Sequence, residues 1–264
     1  MSFPNHPDKY TDDPVMRPED TLGVRRRFGR FPQVEPPEAL IFCLKNGLPQ
    51  HMRWKIPVRH VGRVLGDFYL VNRSHGRVAV LTSFGIGAPV IASLAEEMIA
   101  FGVRKFVILS WGGALQSDLD PGGIVVCDRA IRDEGVSHHY LPSQKYAQAD
   151  AGLTGRIKET MREGNIACRT GTTWTTDAPY RETIGEVKKY RSEGVLTVEM
   201  ETAALFALGG VRGVQTASVV IASDSLADLN WRRPVDIKAI DRSFMLAYSA
   251  IVDTLCKAVP GLGQ

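Results

Sequence analysis

Residues 78–101, VAVLTSFGIGAPVIASLAEEMIAF, carry the pattern that decides the fold. Val78 to Thr82 is a short apolar run rich in β-branched residues and bounded by turn residues, which predicts a buried strand. From Pro89 to Phe101 the apolar residues recur at helical spacing, and a first helical turn tolerates proline. Gly85 and Gly87 connect the two segments. A buried strand that passes through glycines into a helix is typical of an α/β protein.

The same alternation extends along the chain in both directions from this segment. Short apolar runs predict strands at 39–44, 68–72, 105–110, 122–127 and 214–222. Helical spacing predicts helices at 151–163 and 237–259, and a strand end that runs into a helix at 197–208. Strands separated by helices predict a mixed or mainly parallel sheet with helices on its faces.

Composition and length predict one large domain. The chain has 264 residues, of which 44% are hydrophobic and 23% charged, enough to bury a substantial core. No internal repeat, low-complexity tract or Gly/Ser linker divides it. Residues 1–38 are rich in Pro, Asp and Arg and lack a sustained period, so we expect an extended N-terminal arm that wraps the body or a neighbouring subunit. The domain itself is predicted at 39–264.

Charge and cysteine usage exclude several function classes. The net charge of +3 comes from local clusters such as Arg25 to Arg27, whereas a nucleic-acid partner would require a broader basic face. This cluster is either a solvated turn or an electrostatic funnel for an anion. The four cysteines are widely spaced without a CxxC pair, which predicts reduced thiols and no metal site. No signal peptide or membrane span is evident, so we expect a cytoplasmic protein without a membrane partner.

Two glycine-rich turns could face a ligand. Gly85 and Gly87 precede a helix, whose N-terminus favours an anion, but a tight turn without a ligand fits equally well, and the spacing matches no dinucleotide or Walker loop. Ser110 begins SWGGA at the end of another predicted strand. Ligands of α/β sheets bind outside the carboxyl ends of strands, so this turn is either a pocket wall or a turn that packs Trp111 into the core.

Carboxylates follow two further predicted strands. Glu199 and Glu201 flank Met200 where a strand passes into an apolar helix. They are either capping charges or acceptors for a ligand diol such as that of ribose. Asp224 follows the buried run 214–222, where it either caps the next segment or acts as a functional acid.

The order of these segments adds a further argument. GIGAPVIASLAEEM, the GGAL turn, GGIVVCDRAI with RDEGVSHHYLP, TTWTTDAPYRET, VEMETAALFAL and VVIASDS follow one another. Together they closely resemble the nucleoside phosphorylase and nucleosidase superfamily, which includes uridine phosphorylase and hexameric purine nucleoside phosphorylase. The resemblance covers about residues 39–257, and EMET followed by SD is its most specific part. It implies a three-layer α/β/α fold around a mixed, partly barrel-like sheet.

The resemblance also implies roles for individual residues. Glu201 would bind the ribose hydroxyls, Met200 would pack against the sugar, and Glu199 would support both. Asp224 matches the acid that purine-cleaving members use at N7, an acid that uridine phosphorylases lack. The segment that lines the base pocket would contribute Thr176, Asp177 and Tyr180, with Ser223 beside the acid. The Gln and Arg with which uridine phosphorylases read uracil have no match in 180–183, which favours a purine-like base.

The chain departs from the family where phosphate should bind. Family phosphorylases have a Gly-Asp turn with a following Arg after the first strand, whereas residues 45–49 read KNGLP. An Arg and a Thr around the GGA turn are replaced by Ile108 and Trp111. Each such loss removes charge-assisted hydrogen bonds worth about 1.5–3 kcal/mol. The residues left for a phosphate or nucleophile region are Gly85, Gly87, Ser110, Lys45 and Arg63.

Three hypotheses follow from this match and these departures. The leading one is phosphorolysis of a nucleoside to base and ribose 1-phosphate by a pentosyltransferase of purine salvage. The second is a hydrolytic nucleosidase that uses water, although 45–50 lacks the Glu that hydrolytic members place there. The third is a nucleoside-binding protein with little turnover. We expect no cofactor, with inorganic phosphate as co-substrate, a small-molecule nucleoside as the partner, and a homo-oligomer.

Overall fold

The computed structural model describes His6, residues 8–233 and residues 236–257, which form ten strands and seven α-helices. The strands are β1 (Ala39–Cys43), β2 (Val58–Val64), β3 (Gly66–Val71), β4 (Val78–Thr82), β5 (Lys105–Ala114), β6 (Ile124–Asp133), β7 (Tyr146–Gln148), β8 (Arg169–Thr176), β9 (Thr197–Glu199) and β10 (Gln215–Ser225). The helices are α1 (Pro18–Arg27), α2 (Gln50–Lys55), α3 (Ala88–Phe101), α4 (Ala151–Glu163), α5 (Ile184–Ser192), α6 (Thr202–Arg212) and α7 (Ile237–Cys256).

The ten strands form one mixed sheet that is open at one end and closed at the other. From the open edge the order is β2, β3, β4, β1, β5. Beyond this point β5, β9, β8, β6 and β10 close into a five-stranded ring, because β10 pairs with both β6 and β5. β10 runs parallel to β5 but antiparallel to β6. The prediction of a mixed, partly barrel-like sheet is therefore confirmed.

Helices cover both faces of the sheet, which makes the predicted three layers. Along β1, Ile41 and Cys43 face one apolar cluster, to which α4 and α7 contribute. Leu40 and Phe42 face the other cluster, to which α3 and α6 contribute. Successive strand residues point to opposite faces, and both faces of this strand are buried. This double burial explains why β1 reads as a continuous apolar run.

The segment before Ala39 corrects the expectation of an extended arm. Residues 18–27 form α1, with Pro18 in its first turn and the carboxylate of Asp20 accepting a hydrogen bond from the backbone N–H of Arg17. α1 packs on α3 and buries Leu22 there. The helix escaped prediction because its narrow apolar face is surrounded by charged residues. Residues 1–5 and 7 of the predicted arm lie outside the described residues.

The other predicted elements are present with shifted ends. β5 and β6 run beyond the predicted 105–110 and 122–127, and the last helix ends at Cys256 instead of residue 259, which lies outside the described residues. Besides α1, five strands and helices were not predicted, namely α2, β2, β7, β8 and α5. Among the described residues, no helix is both long and apolar enough to cross a membrane.

Candidate active site

A cavity of about 900 Å³ opens beside the carboxyl ends of β5 and β10, next to β9. This is the edge at which α/β sheets bind ligands. Most of its wall is apolar, and the Asp, Glu, Lys, Arg and His residues among its described lining residues are all Asp or Glu. No Lys, Arg or His occurs among the lining residues that the structure describes. The four carboxylates of the lining belong to Glu182, Glu199, Asp224 and Asp241.

A bulge in β10 turns Asp224 toward this cavity. The pairing of β10 with β5 shifts register between Ala222 and Asp224, so that Asp224 comes to lie opposite Gly113. Bulges of this kind re-aim side chains and are common next to active sites. A Cβ on Gly113 would lie 2.4 Å from Cδ1 of Leu226 and 3.3 Å from Oδ2 of Asp224. The absent side chain therefore leaves room for the carboxylate.

Two neutral donors hold the carboxylate of Asp224. The hydroxyl of Ser223 donates to Oδ1 at 2.6 Å, and the indole N–H of Trp231 donates to Oδ2 at 2.8 Å. Trp231 also lines the cavity, in the segment between β10 and α7. The position of this carboxylate thus depends on a contact 7 residues away in the sequence.

Glu199 forms a buried hydrogen-bond network at the start of α6. Its Oε2 accepts from the backbone N–H groups of Glu201 and Thr202 and from the Thr202 hydroxyl, each at 2.8 Å. Its Oε1 accepts from the hydroxyl of Thr175 on β8 at 2.5 Å. The capping interpretation therefore holds for Glu199, since it satisfies N–H groups that a helix start leaves free. The same bonds fix the backbone of Glu201.

Glu201 lies beneath Met200, which lines the cavity. Its Oε1 accepts from the backbone N–H of Gly87 at 2.6 Å, and its Oε2 accepts from the N–H of Met200 at 3.3 Å. Gly87 has a φ of 99°, a conformation that favours glycine. The glycine turn before α3 therefore offers the Gly87 N–H to a protein carboxylate, and this N–H is not free for a ligand anion.

Burial perturbs both glutamates. Desolvation, and then repulsion by Glu199, raises the pKa of Glu201 to about 8. Desolvation also raises the pKa of Glu199, against the lowering effect of its hydrogen bonds. Two buried carboxyls that repel each other do not ionise together easily. At neutral pH this pair accordingly holds a proton.

Lys45 reaches the rim of the cavity but is already paired. Its ammonium lies 2.9 Å from Oδ1 of Asp241 and 4.6 Å from the ring centroid of Trp111. The indole N–H of Trp111 in turn donates to the carbonyl of Leu44 at 2.7 Å. The charge nearest to the predicted phosphate region is therefore neutralised by a carboxylate on α7.

The remaining predicted residues divide into two groups. Tyr180 and Ser223 line the cavity together with Glu199, Met200 and Asp224. The others do not line it. Ser110 is fully buried with no hydrogen-bond partner for its hydroxyl among the described residues, and Asp177 accepts from the N–H of Gly135. Arg63, on the edge strand β2, is exposed and paired with Asp67. Also outside the lining are Gly85, Gly87, Thr176, Lys45 and Glu201.

The sequence did not point to Glu182, Trp231 or Asp241, whose polar side chains also line the cavity. Desolvation, then repulsion by Asp224 and by Glu186, raises the pKa of Glu182 to about 7. Its proximity to Tyr180 in a predicted base-pocket segment was the available signal. In the described part of the chain, no three His, Cys, Asp or Glu side chains are arranged to hold a metal ion.

Comparison with known proteins identifies the family of this chain. The family model of the phosphorylase superfamily matches residues 46–255. The chain belongs to the phosphorylase superfamily. The superfamily resemblance expected from EMET and SD is thereby confirmed, and the match covers every strand that lines the cavity.

Individual members of the superfamily are similar over different spans. The chain is 31% identical over 153 residues to the DeoD-type purine nucleoside phosphorylases of Bacillus cytotoxicus and Bacillus cereus. This match covers 57% of the chain and 65% of either relative. The crystal structure of uridine phosphorylase from Vibrio fischeri ES114 is similar with a TM-score of 0.73 and 25% identity. That match covers 86% of this chain and 94% of the other.

Proposed function

We propose that this protein cleaves the N-glycosidic bond of a nucleoside by phosphorolysis, giving a free base and a pentose 1-phosphate. One observation carries the proposal. The cavity of about 900 Å³ has Met200 and Glu199 on one wall and Asp224 on another, so a sugar and a base would each meet a group of suitable chemistry. Membership of the phosphorylase superfamily supports the same reaction.

The sugar would lie over Met200, with its hydroxyls toward Glu201. Oε2 of Glu201 makes only a 3.3 Å hydrogen bond with the protein, so it can pair with a sugar hydroxyl, as an acceptor when the carboxyl is ionised and as a donor when it is protonated. The network around Glu199 holds this carboxylate before the substrate arrives. A group whose position is fixed in advance costs little reorganisation when charge develops on the sugar.

The reaction breaks the bond between C1′ of the sugar and the base nitrogen. The electron pair of that bond passes to the base, and C1′ acquires oxocarbenium character before a phosphate oxygen bonds to it. Asp224 would supply a proton or a hydrogen bond to the base as its charge grows. Ser223 and Trp231 keep the carboxyl oriented toward the base.

Among nucleosides, we propose that the substrate carries a purine-like base. A purine offers N7 to an acid, and Asp224 lies in the wall of the cavity. Among the described residues that line the cavity, there is no Gln or Arg that could read uracil. We further propose that this salvage enzyme is a homo-oligomer, because Val24 of α1 and Phe28, which directly follows α1, are exposed beside the exposed Met16.

A second candidate is hydrolysis, in which water attacks C1′ and free ribose is released. It is favoured by the acidic lining of the cavity and by the ion pair of Lys45 with Asp241, both of which oppose a phosphate dianion. Phosphorolysis, by contrast, would require a cation from a neighbouring subunit to bind phosphate, and Arg63 on the edge strand β2 is the candidate.

One experiment separates these functions. A panel of purine and pyrimidine nucleosides is incubated with the protein, with and without phosphate, and base and sugar products are separated by chromatography. Pentose 1-phosphate formed only with phosphate supports phosphorolysis, and free ribose formed without phosphate supports hydrolysis. Nucleoside binding without either product would contradict both and leave a binding protein.

A further inference from the structure

Glu182 is a carboxyl of the cavity that the reaction described above does not use. It follows the short 3₁₀ turn Pro179–Arg181 after β8 and lines the cavity together with Asp224. Within the described part of the chain, its half-buried side chain has no hydrogen-bond or ion-pair partner. Asp224, by contrast, already accepts one hydrogen bond on each oxygen. Glu182 is therefore the carboxyl of the lining whose two oxygens the described part of the protein leaves without a donor.

The walls around Glu182 are apolar. Ile184 and Val187 of α5 and Leu226 and Leu229 of the segment after β10 line the same cavity. Burial, then the negative charge of Asp224, holds the pKa of Glu182 at about 7, so the two carboxyls are near enough to repel each other. An unpaired carboxyl in an apolar wall is costly unless a donor reaches it. A ligand must bring that donor.

The geometry of a purine indicates where the donor lies. On the purine ring, the substituent at C6 projects from the same edge as N7, the nitrogen assigned to Asp224. A carboxyl that lies beside Asp224 on the C6 side of the base would face this substituent, and Glu182 shares the cavity with Asp224 and is repelled by its charge. An exocyclic amino group would donate to it, whereas a carbonyl oxygen would present one acceptor to another.

We propose that Glu182 is a specificity-determining residue that selects nucleosides whose base carries an exocyclic amino group beside the nitrogen served by Asp224. This inference rests on the proposed function. A site built to hydrogen-bond one substrate group discriminates against the analogue that lacks the group, because its own polar group is left unpaired. We expect the 6-amino nucleoside to be preferred over the 6-oxo nucleoside by about 10- to 100-fold in kcat/KM, the range of one charge-assisted hydrogen bond.

The test compares adenosine with inosine at pH 8.5, where Glu182 is ionised, in the presence of phosphate. Glu182→Gln keeps the size of the side chain, and its amide can accept from an amino group or donate to a carbonyl. In this variant the ratio of the two kcat/KM values should fall to within about threefold of one. Glu163→Gln, an exposed carboxylate on α4 paired with Lys257, is the control and should keep the wild-type ratio.

Calorimetric titration with adenine and hypoxanthine gives a second readout that needs no turnover. The wild type should bind adenine more tightly, and the variant should lose this difference while keeping its melting temperature. A ratio unchanged by E182Q would overturn the inference and leave the proposed function standing. A wild-type preference for inosine that the variant loses would also overturn it, because Glu182 would then read a ring N–H. No cleavage of any nucleoside would overturn the proposed function, and the base titration would still decide on Glu182.

Discussion

Replacing Asp224 with asparagine separates a catalytic acid from a structural cap. The carboxylate accepts from Ser223 at 2.6 Å and from Trp231 at 2.8 Å. An asparagine can accept from the indole through Oδ1 and donate to the serine hydroxyl through its amide, since a hydroxyl is both donor and acceptor. Both contacts survive with little rearrangement. What the substitution removes is the negative charge and the ability to carry a proton.

The stability and rate effects should therefore differ widely. Loss of charge assistance in two retained hydrogen bonds should cost about 1 kcal/mol of unfolding free energy, or about 2–4 °C in melting temperature for a chain of this size. Positioned acids contribute about 10²- to 10⁴-fold in rate, which corresponds to roughly 3–5 kcal/mol of transition-state stabilisation. The kcat on the best purine nucleoside should fall by that factor, with nucleoside affinity nearly unchanged.

The assay combines steady-state kinetics, isothermal titration and thermal melting of the same protein preparation. Asp228→Asn is the matched control, because Asp228 lies in the same segment and forms an ion pair with Arg232 but does not line the cavity. This control should keep the wild-type kcat. An Asp224→Asn variant with unchanged kcat would refute the assignment of Asp224 as the acid, whatever its melting temperature.

Three further predictions concern the sugar site, its pH dependence and assembly. Glu201→Ala should nearly abolish activity and nucleoside binding while circular dichroism shows a retained fold, and wild-type affinity in this variant would exclude Glu201 as the ribose ligand. Because the folded-state pKa of Glu201 is raised from 4.5 to about 8, its contribution to stability is complete below about pH 4.5 and is lost as the pH rises to 8. The melting temperature should therefore fall more steeply between pH 5 and 8 in the wild type than in Glu201→Gln, and parallel curves would contradict the assigned pKa. Removal of residues 1–37 should lower activity, but it also removes the buried Leu22. Phe28→Glu, at the exposed residue that follows α1, is the cleaner test and should reduce the oligomer mass in sedimentation. A fully active wild-type monomer would exclude the predicted assembly.

Local sequence was sufficient for the elements that carry a continuous apolar run or a regular helical spacing of apolar residues. The run at Val78 to Thr82, the glycine turn and the helix that ends at Phe101 all lie within one or two residues of their predicted bounds. β8 escaped because RTGTTWTT is rich in threonine and alternates weakly, and its burial comes from packing inside the ring. α1 was not predicted because its few apolar residues form a buried face only where α3 packs against them.

For the site, the sequence by itself determined the superfamily and the two motifs, EMET and SD, because these residues are adjacent in the chain. Only the tertiary structure decided which other side chains share their cavity. Glu182, Trp231 and Asp241 reach it from three separate segments, and Lys45 is neutralised by a partner 196 residues away. Closure of the ring by the pairing of β10 with β5 brings these segments together. The charge and shape of the cavity are therefore long-range properties, which no local pattern of residues contains.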